Sequence, residues 1–390
     1  MLGDFFPQPT DEPPGSDAAF MRSALAEARR AMGRVAPNPA VGAIIVRDGK
    51  IVGRGATQPP TGDHAEIVAL KAAGNQAAGA DLYVTLEPCC HLGRTPPCTD
   101  AIIAAGIRRV VIGTVDPNPE VHLGGIKQLE QAGIEVRVGV LEREASNAIA
   151  GFRSRISSGR PHVLVKYAMT LDGKIATRTG HSRWISGPEA RVLTHVMRDR
   201  IDAIMVGSNT VVVDNPRLTT RLDDKISGSG GPHHPRRIVI DGRLRTPPDA
   251  DILAPGSGDE PLIYCTEDAP ADAERRLVDA GAIVRRIPAT NNHVDLRPVF
   301  EDLGRLGLNQ LLVEGGGGLI GACLDVGLVD EIITFIAPVI VGGDGPPPVA
   351  GYGVETMPDA WQLDDIRMHN AGDNIMLHGR VVQRREDDDV

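Results

Sequence analysis

Apolar positions in this chain fall into short runs that alternate with stretches in which they recur every three or four residues. Between residues 17 and 33, Met21, Leu25, Ala28 and Met32 share one face of a predicted helix, with Asp17 as its cap and Gly33 as its stop. Pro37-Asn38-Pro39 then breaks the chain. Ala40–Val46 and Ile51-Val52 flank Asp48-Gly49, a hairpin signal. His64–Ala73 reads as a helix ended by Gly74, Leu82–Leu86 as a buried strand, Cys98–Ala105 as a short helix and Arg109–Thr114 as a strand. Residues 123–138 supply a further helix and strand. Strands alternating with helices predict a three-layer α/β domain over residues 17–157.

Ser157-Ser158-Gly159-Arg160-Pro161 reads as a linker, and beyond it the alternation restarts over residues 160–384. Strands are expected at His162–Ala168, Ala203–Val206, Arg237–Asp241, Leu262–Cys265, 282–287, Gln310–Val313 and Glu331–Ile336. Helices are expected at 188–199, 271–280 and 295–306, and again after the glycine turn that follows Glu314. Segments near 361–369 and 374–383 should pair antiparallel. Residues 1–16 have the composition of a disordered tail, residues 223–235 that of a polar surface loop, and residues 385–390 form an acidic tail.

Composition narrows the function classes. The chain has 390 residues and a net charge of −10, which argues against a broad basic surface for nucleic acid. No apolar run approaches the roughly 18 residues of a membrane span, and the acidic, proline-rich start lacks the features of a signal peptide. Five cysteines, three of them clustered, suit a metal site in a reducing compartment better than a disulfide framework. A cytoplasmic protein is expected.

The cluster is the chemical signal. His64-Ala65-Glu66, then Pro88-Cys89 and Cys98, offer zinc one imidazole and two thiolates, leaving a fourth position open for water. Zinc deaminases of nucleobases carry such an H-x-E … P-C … C arrangement, with the glutamate moving protons. His64, Cys89 and Cys98 each sit at or just before a predicted helix start, where the helix dipole favours thiolate. Two blander readings stand beside this one. A lone His-x-Glu is commonly a solvated pair, and a structural zinc site would take a fourth protein ligand from Cys90 or His91. The nine-position step from Cys89 to Cys98 also departs from the usual Cys-x-x-Cys.

Pro39-Ala40-Val41-Gly42, His64-Ala65-Glu66, Thr85-Leu86-Glu87-Pro88-Cys89 and Gly93-Arg94-Thr95-Pro96-Pro97-Cys98 together resemble the bifunctional deaminase–reductase of riboflavin biosynthesis, which has this longer loop. The resemblance implies zinc ligation by His64, Cys89 and Cys98, proton transfer by Glu66, and substrate contacts by Asn38, His91 and Arg94, with Arg94 near a ribose phosphate. Cys90 stands where the family usually has serine. Asp116-Pro117-Asn118-Pro119 also matches, but His122-Leu123-Gly124-Gly125 replaces the family's Ala-Gly-Arg-Gly.

In the second half, Glu314 precedes four glycines and a helix, a turn that can hold a phosphate or simply reverse the chain. It is not the spaced-glycine dinucleotide fingerprint. Lys166–Lys174, Ser182–Ser186, Gly207–Thr210 and Val213–Thr219 resemble the reductase half of the same family, which is similar to dihydrofolate reductase in fold and takes NADPH. The resemblance places Ala168, Trp184, Thr210, Asp214 and the turn Gly316, Gly317, Gly318, Leu319, Ile320, Gly321 and Ala322 against the cofactor. It places Ser182, Arg198, Leu218, Arg221 and Glu314 against the phosphorylated sugar. It implies a cytidine-deaminase-like domain followed by a dihydrofolate-reductase-like α/β domain. The activity it implies is removal of an exocyclic amine from a diaminopyrimidinone ribosylamino phosphate, then reduction of the ribosyl group to ribityl. A small-molecule substrate, no nucleic-acid or membrane partner, and a homodimer through the second domain complete the expectation.

Overall fold

In the computed structural model, which describes residues 13–91, 96–223, 231–255 and 258–382, the chain forms two units. The first runs to Arg160 and includes Gly307–Asn309; the second holds Pro161–Leu306 and the residues from Gln310 on.

The first unit is built on five strands, β1 (Gly42–Arg47), β2 (Lys50–Ala56), β3 (Asp81–Leu86), β4 (Arg109–Thr114) and β5 (Glu135–Val138), in the order β2-β1-β3-β4-β5. The β1–β2 and β1–β3 pairs are antiparallel and the others parallel. Strand residues alternate between two cores. Ala43, Ile45, Leu82, Val84, Val110 and Ile112 face one; Ile44, Val46, Tyr83 and Val111 face the other. Because both faces are covered, the strands read as continuous apolar runs. Helices α2 (Ala65–Ala73), α3 (Cys98–Ala104) and α4 (Gly124–Gln131) cover the first face, and α1 (Asp17–Ala31) and α5 (Glu142–Ala148) the second. This is the expected three-layer arrangement.

Two local expectations change. Ser16, not Asp17, caps α1, accepting from the Ala19 N–H at 3.2 Å. Asp17 instead binds Tyr83 Oη and the guanidinium of Arg109 across the sheet. The ordered chain therefore reaches into the stretch assigned to a tail; its residues 1–12 lie outside the described residues, as do 385–390. The expected linker is also helical in part, since α6 (Ala150–Ser158) continues through Ser157 and Ser158 to a left-handed Gly159 at φ 72°. The serines there satisfy helical carbonyls, which their composition alone does not reveal.

The second unit carries a nine-stranded sheet in the order β10-β9-β8-β7-β13-β6-β14-β16-β15. The members are β6 (His162–Thr170), β7 (Ala203–Gly207), β8 (Arg236–Ile240), β9 (Leu262–Thr266), β10 (Ile283–Ile287), β13 (Gln310–Glu314), β14 (Glu331–Ala337), β15 (Gln362–Ala371) and β16 (Asn374–Val382). Strands from β10 to β14 run parallel; β16 and β15 close the edge antiparallel, as the alternating pattern predicted. A separate small hairpin is made by β11 (Ala289–Thr290) and β12 (His293–Val294). The helices are α7 (Pro188–Asp199), α8 (Ser208–Asp214), α9 (Ala271–Asp279), α10 (Leu296–Arg305) and α11 (Gly317–Asp325). The chain passes from β6 to β7 across the place that β13 later fills. Crevices at such reversals, beyond the carboxyl ends of parallel strands, are where α/β folds hold ligands.

Candidate active sites

The first site is assembled at helix starts. Gly53 and Gly55 let α2 lie directly on β2: a Cβ on either would stand 2.3 Å from the Ala69 carbonyl oxygen or 2.1 Å from that of Ala65. That contact fixes the beginning of α2, where His64 is the cap residue and Glu66 lies in the open first turn. Two positions apart on a regular helix would point away from each other, but at this end both side chains reach the same space. Cys98 opens α3 after Pro97, and Cys89 follows β3. His64 Nδ1 lies 3.2 Å from Cys98 Sγ and 3.6 Å from Cys89 Sγ, and the Cys98 N–H donates to Cys89 Sγ at 3.4 Å. The three donor atoms fall within 4.8 Å of one another.

This donor set fits zinc. One imidazole and two thiols at tetrahedral ligand separations form a three-ligand site, and among the described residues neither Cys90 nor His91 joins the group. The hydrogen bond from Cys98 holds the Cys89 thiol well below its usual value, while the same bond and burial hold the Cys98 thiol up. Glu66 is buried at 4% exposure, and burial followed by the nearby Cys89 charge raises its carboxyl to about 7. His91 Nδ1 is buried with no partner among the described residues, so a polar group is free beside the cluster to meet a ligand. Asn38 lies in the turn before β1, its N–H on the Val35 carbonyl. Arg94 lies outside the described residues.

Sequence reasoning missed Glu87 as a positioning group. Its buried carboxylate accepts the backbone N–H groups of Asp116 at 3.2 Å, Leu123 at 3.1 Å, Gly125 at 3.0 Å and Ile126 at 3.3 Å. The loop containing the departure at 122–125 is thereby tied to the residue two before Cys89. Gly125 packs on Pro88, where a Cβ would be 2.0 Å from its carbonyl oxygen, and a Cβ on Gly124 would stand 2.6 Å from Cys90 Sγ. Leu123, where the family has glycine, takes φ 60°. Cys90 is thus packed against this loop. Asp116, raised to about 6 by burial and then by the neighbouring Glu87 and Cys89, sits at the loop's start.

The second site is a cavity of about 480 Å³ at the carboxyl ends of β6, β7 and β13. Of the predicted residues, Ala168, Ser182, Arg198, Thr210, Asp214, Leu218, Glu314, Gly316 and Ile320 line it. Arg221 and Trp184 stand outside the lining. Trp184 is 71% exposed, so it is no core residue; the Arg191 guanidinium lies 4.6 Å from its ring centroid. Gly317, Gly318, Leu319, Gly321 and Ala322 continue the turn into α11 outside the lining as well. Asn209, Pro346 and Pro348 line the cavity and were not anticipated, since nothing local marks a proline as a cavity wall.

The polar floor of this cavity is strongly coupled. Glu314 accepts from Arg198 Nε at 2.9 Å and Nη2 at 2.7 Å; burial alone would raise its carboxyl, but Arg198 and then Lys166 hold it down at about 2. Arg198 spends its remaining terminal nitrogen on the Thr219 carbonyl. Lys166 sits in the cavity wall with Nζ 5.7 Å from the Phe335 ring, and burial lowers its ammonium below the usual lysine value. His195 Nδ1 accepts from the Arg221 N–H at 3.3 Å, and burial with the adjacent cations Arg198 and Arg221 holds the imidazole neutral, at about 4. A helix opening on Gly316-Gly317-Gly318 offers first-turn N–H groups to a phosphate, which suits a dinucleotide.

Comparison with known proteins agrees with both halves. The cytidine and deoxycytidylate deaminase zinc-binding region matches residues 14–114, and the RibD C-terminal domain matches 161–377. The riboflavin biosynthesis protein RibD of Aquifex aeolicus is 40% identical over 361 residues, covering 93% of this chain and 97% of its own. That of Escherichia coli is 40% identical over 369 residues, covering 93% and 98%. Among solved structures, a RibD of Acinetobacter baumannii superimposes with a TM-score of 0.79 at 32% identity, over 94% of this chain and 99% of that one. A diaminohydroxyphosphoribosylaminopyrimidine deaminase/5-amino-6-(5-phosphoribosylamino)uracil reductase of Thermotoga maritima does so with the same TM-score, identity and coverage. The chain belongs to the RibD family of riboflavin biosynthesis proteins, a zinc-dependent deaminase joined to an NADPH-dependent reductase.

Proposed function

We propose that the first unit hydrolyses the exocyclic amine of 2,5-diamino-6-(5-phosphoribosylamino)pyrimidin-4-one, and that the second reduces the ribosyl group of the product to ribityl. The observation that carries the first step is the three-donor cluster of His64, Cys89 and Cys98 with a buried Glu66 at its side. When bound there, zinc supplies a Lewis acid that acidifies water. A Glu66 carboxylate oxygen takes one proton from the attacking water and passes it to the ring nitrogen, then carries the second, from the hydroxyl of the adduct, to the amine, whose C–N bond breaks as it leaves as ammonia. His91, whose buried Nδ1 has no partner among the described residues, holds the substrate, together with Asn38 and Arg94.

In the second unit NADPH supplies the hydride. Hydride addition at the anomeric carbon breaks its bond to the ring oxygen, which must take a proton, and we assign that donation to Lys166 Nζ, a cavity-wall group of lowered proton affinity. Glu314 keeps Lys166 charged enough to donate, and Arg198 holds Glu314 in place. Because the guanidinium of Arg198 is committed to Glu314 and Thr219, the sugar phosphate falls to the more exposed Arg221. Ser182 and Leu218 complete the sugar end; Ala168, Trp184, Thr210, Asp214 and the Gly316–Ala322 turn form the cofactor end.

The experiment supplies the diaminopyrimidinone phosphate to zinc-loaded protein with and without NADPH. Ammonia release in both cases, with NADPH oxidation only where it is present, is expected; release from an RNA substrate but none from the small pyrimidine would overturn the reading. We further propose a homodimer: edge strand β15 leaves Ile366 and Met368 56% and 66% exposed, an apolar edge that a second copy would cover. Sedimentation equilibrium at the monomer mass would refute that. The net charge of −10 and five unpaired cysteines suit a cytoplasmic enzyme that does not bind nucleic acid.

A further inference from the structure

After β14 the chain does not turn directly into β15; it crosses the mouth of the second cavity as a strap. The strap is attached at two places by carboxylates. On one side Asp172 Oδ1 accepts the Val341 N–H at 3.3 Å and Oδ2 the Gly342 N–H at 2.8 Å, while Thr170 Oγ1 fixes the same carboxylate at 2.6 Å. On the other, Asp325 at the end of α11 accepts the N–H groups of Tyr352 at 2.9 Å and Gly353 at 3.2 Å. Between the two lies Gly345-Pro346-Pro347-Pro348, a stretch stiff by composition. Pro346 and Pro348 line the cavity with Lys166 and Glu314.

The strap is seated closely as well as tied. A Cβ on Gly345 would be 2.3 Å from the Ala176 oxygen, and one on Gly321 would be 1.4 Å from the Ala350 oxygen. The Ala350 N–H donates to Gly317 at 3.0 Å. Gly317 and Gly321, in the turn into α11, thus pack on the strap. On its outer side Ile340 is 71% exposed and Tyr352 85% exposed, so solvent rather than packing lies beyond both attachment points.

We propose that Asp172 and Asp325 are positioning residues of the reductase, a two-point clamp that holds Pro346 and Pro348 as one wall of the cofactor end of the cavity. The clamp touches neither Lys166 nor Glu314. It therefore sets how tightly the nicotinamide dinucleotide is held and leaves the chemical step alone. This rests on the reading of the cavity as the NADPH site.

The test uses the full-length, zinc-loaded chain and four variants: Asp172→Ala, Asp325→Ala and the corresponding Asn forms. NADPH binding by fluorescence, steady-state kcat and KM for NADPH, and ammonia release are measured on each. In the alanine variants Kd and KM should rise about tenfold, less than the full worth of two bonds to a charged acceptor because both attachment points are exposed to solvent. Their kcat should stay within about twofold and ammonia release should not change. Asparagine keeps one of the two acceptor oxygens, so its Kd should rise only about two- to threefold over the parent. A fall in kcat at unchanged Kd, or no change in either, overturns the clamp. Should the alanine forms fail to fold, the asparagine forms decide by the same readout, a rise in Kd supporting the clamp and an unchanged Kd refuting it. If the parent protein does not bind NADPH at all, the cavity assignment itself falls, an outcome distinct from any variant result.

Discussion

Arg198 holds Glu314 through two parallel bonds, 2.9 Å from Nε and 2.7 Å from Nη2, with both side chains largely shielded from solvent. Breaking such a pair strands the buried carboxylate, so Arg198→Met should destabilise the second unit by about 3–5 kcal/mol in denaturant titration. A loss under about 1 kcal/mol, the range of exposed ion pairs, would show that the pair is not buried in solution.

The same pair has a pH signature. Glu314 titrates at about 2 in the folded chain, below its ordinary value of 4.5. Its contribution is therefore complete above pH 4.5 and is lost as pH falls from there towards 2. The parent protein should lose more stability across that window than Glu314→Gln, as measured by denaturant midpoints at a series of pH values.

Lys166→Met removes the proposed proton donor while keeping most of the side-chain volume. NADPH oxidation with the deaminated intermediate should fall about 10²–10⁴-fold, and ammonia release should be unaffected. Equal loss of both activities would mean that the substitution acts through folding.

Glu66→Gln should lower ammonia release about 10²–10⁴-fold with one zinc still bound per chain, the outcome expected of the proposed proton carrier that is not itself a ligand. Cys98→Ala should lose zinc as well as activity, since it removes one of the three proposed donors found among the described residues. Metal analysis beside the ammonia assay separates the two.

Leu123 occupies the left-handed region at φ 60°, where a side chain costs roughly 1 kcal/mol or more. Leu123→Gly should raise stability by up to about 1 kcal/mol, net of the entropy that glycine adds to the unfolded chain. A lower melting temperature would show that the half-exposed leucine makes a compensating contact.

How much was legible in advance follows from the range of each interaction. The strands of both sheets, and most helices, were readable because periodicity is local. The short helices α5, α6 and α8 were not: α5 and α6 mix small and polar residues, α8 carries the β-branched run Val211-Val212-Val213, and their helicity comes from packing. Asp17 looked like a cap, but its carboxylate found Tyr83 and Arg109 on two strands that no local rule connects to it. The guanidinium of Arg191 over the Trp184 ring is likewise a contact that no local rule foretells.

What the amino-acid sequence determined by itself was the chemistry: which side chains can bind zinc, which carboxylate lies beside them, and which glycine turn can meet a phosphate. These depend on residue type and on spacing along one or two elements. Only the tertiary structure decided which charges are buried, and with whom. Glu87 gathers four N–H groups from a loop some thirty residues away, Glu314 is neutralised by Arg198, and Asp172 and Asp325 hold the strap. A carboxylate's role depends on the solvent it loses and the donors it gains, and both are supplied by segments distant in sequence.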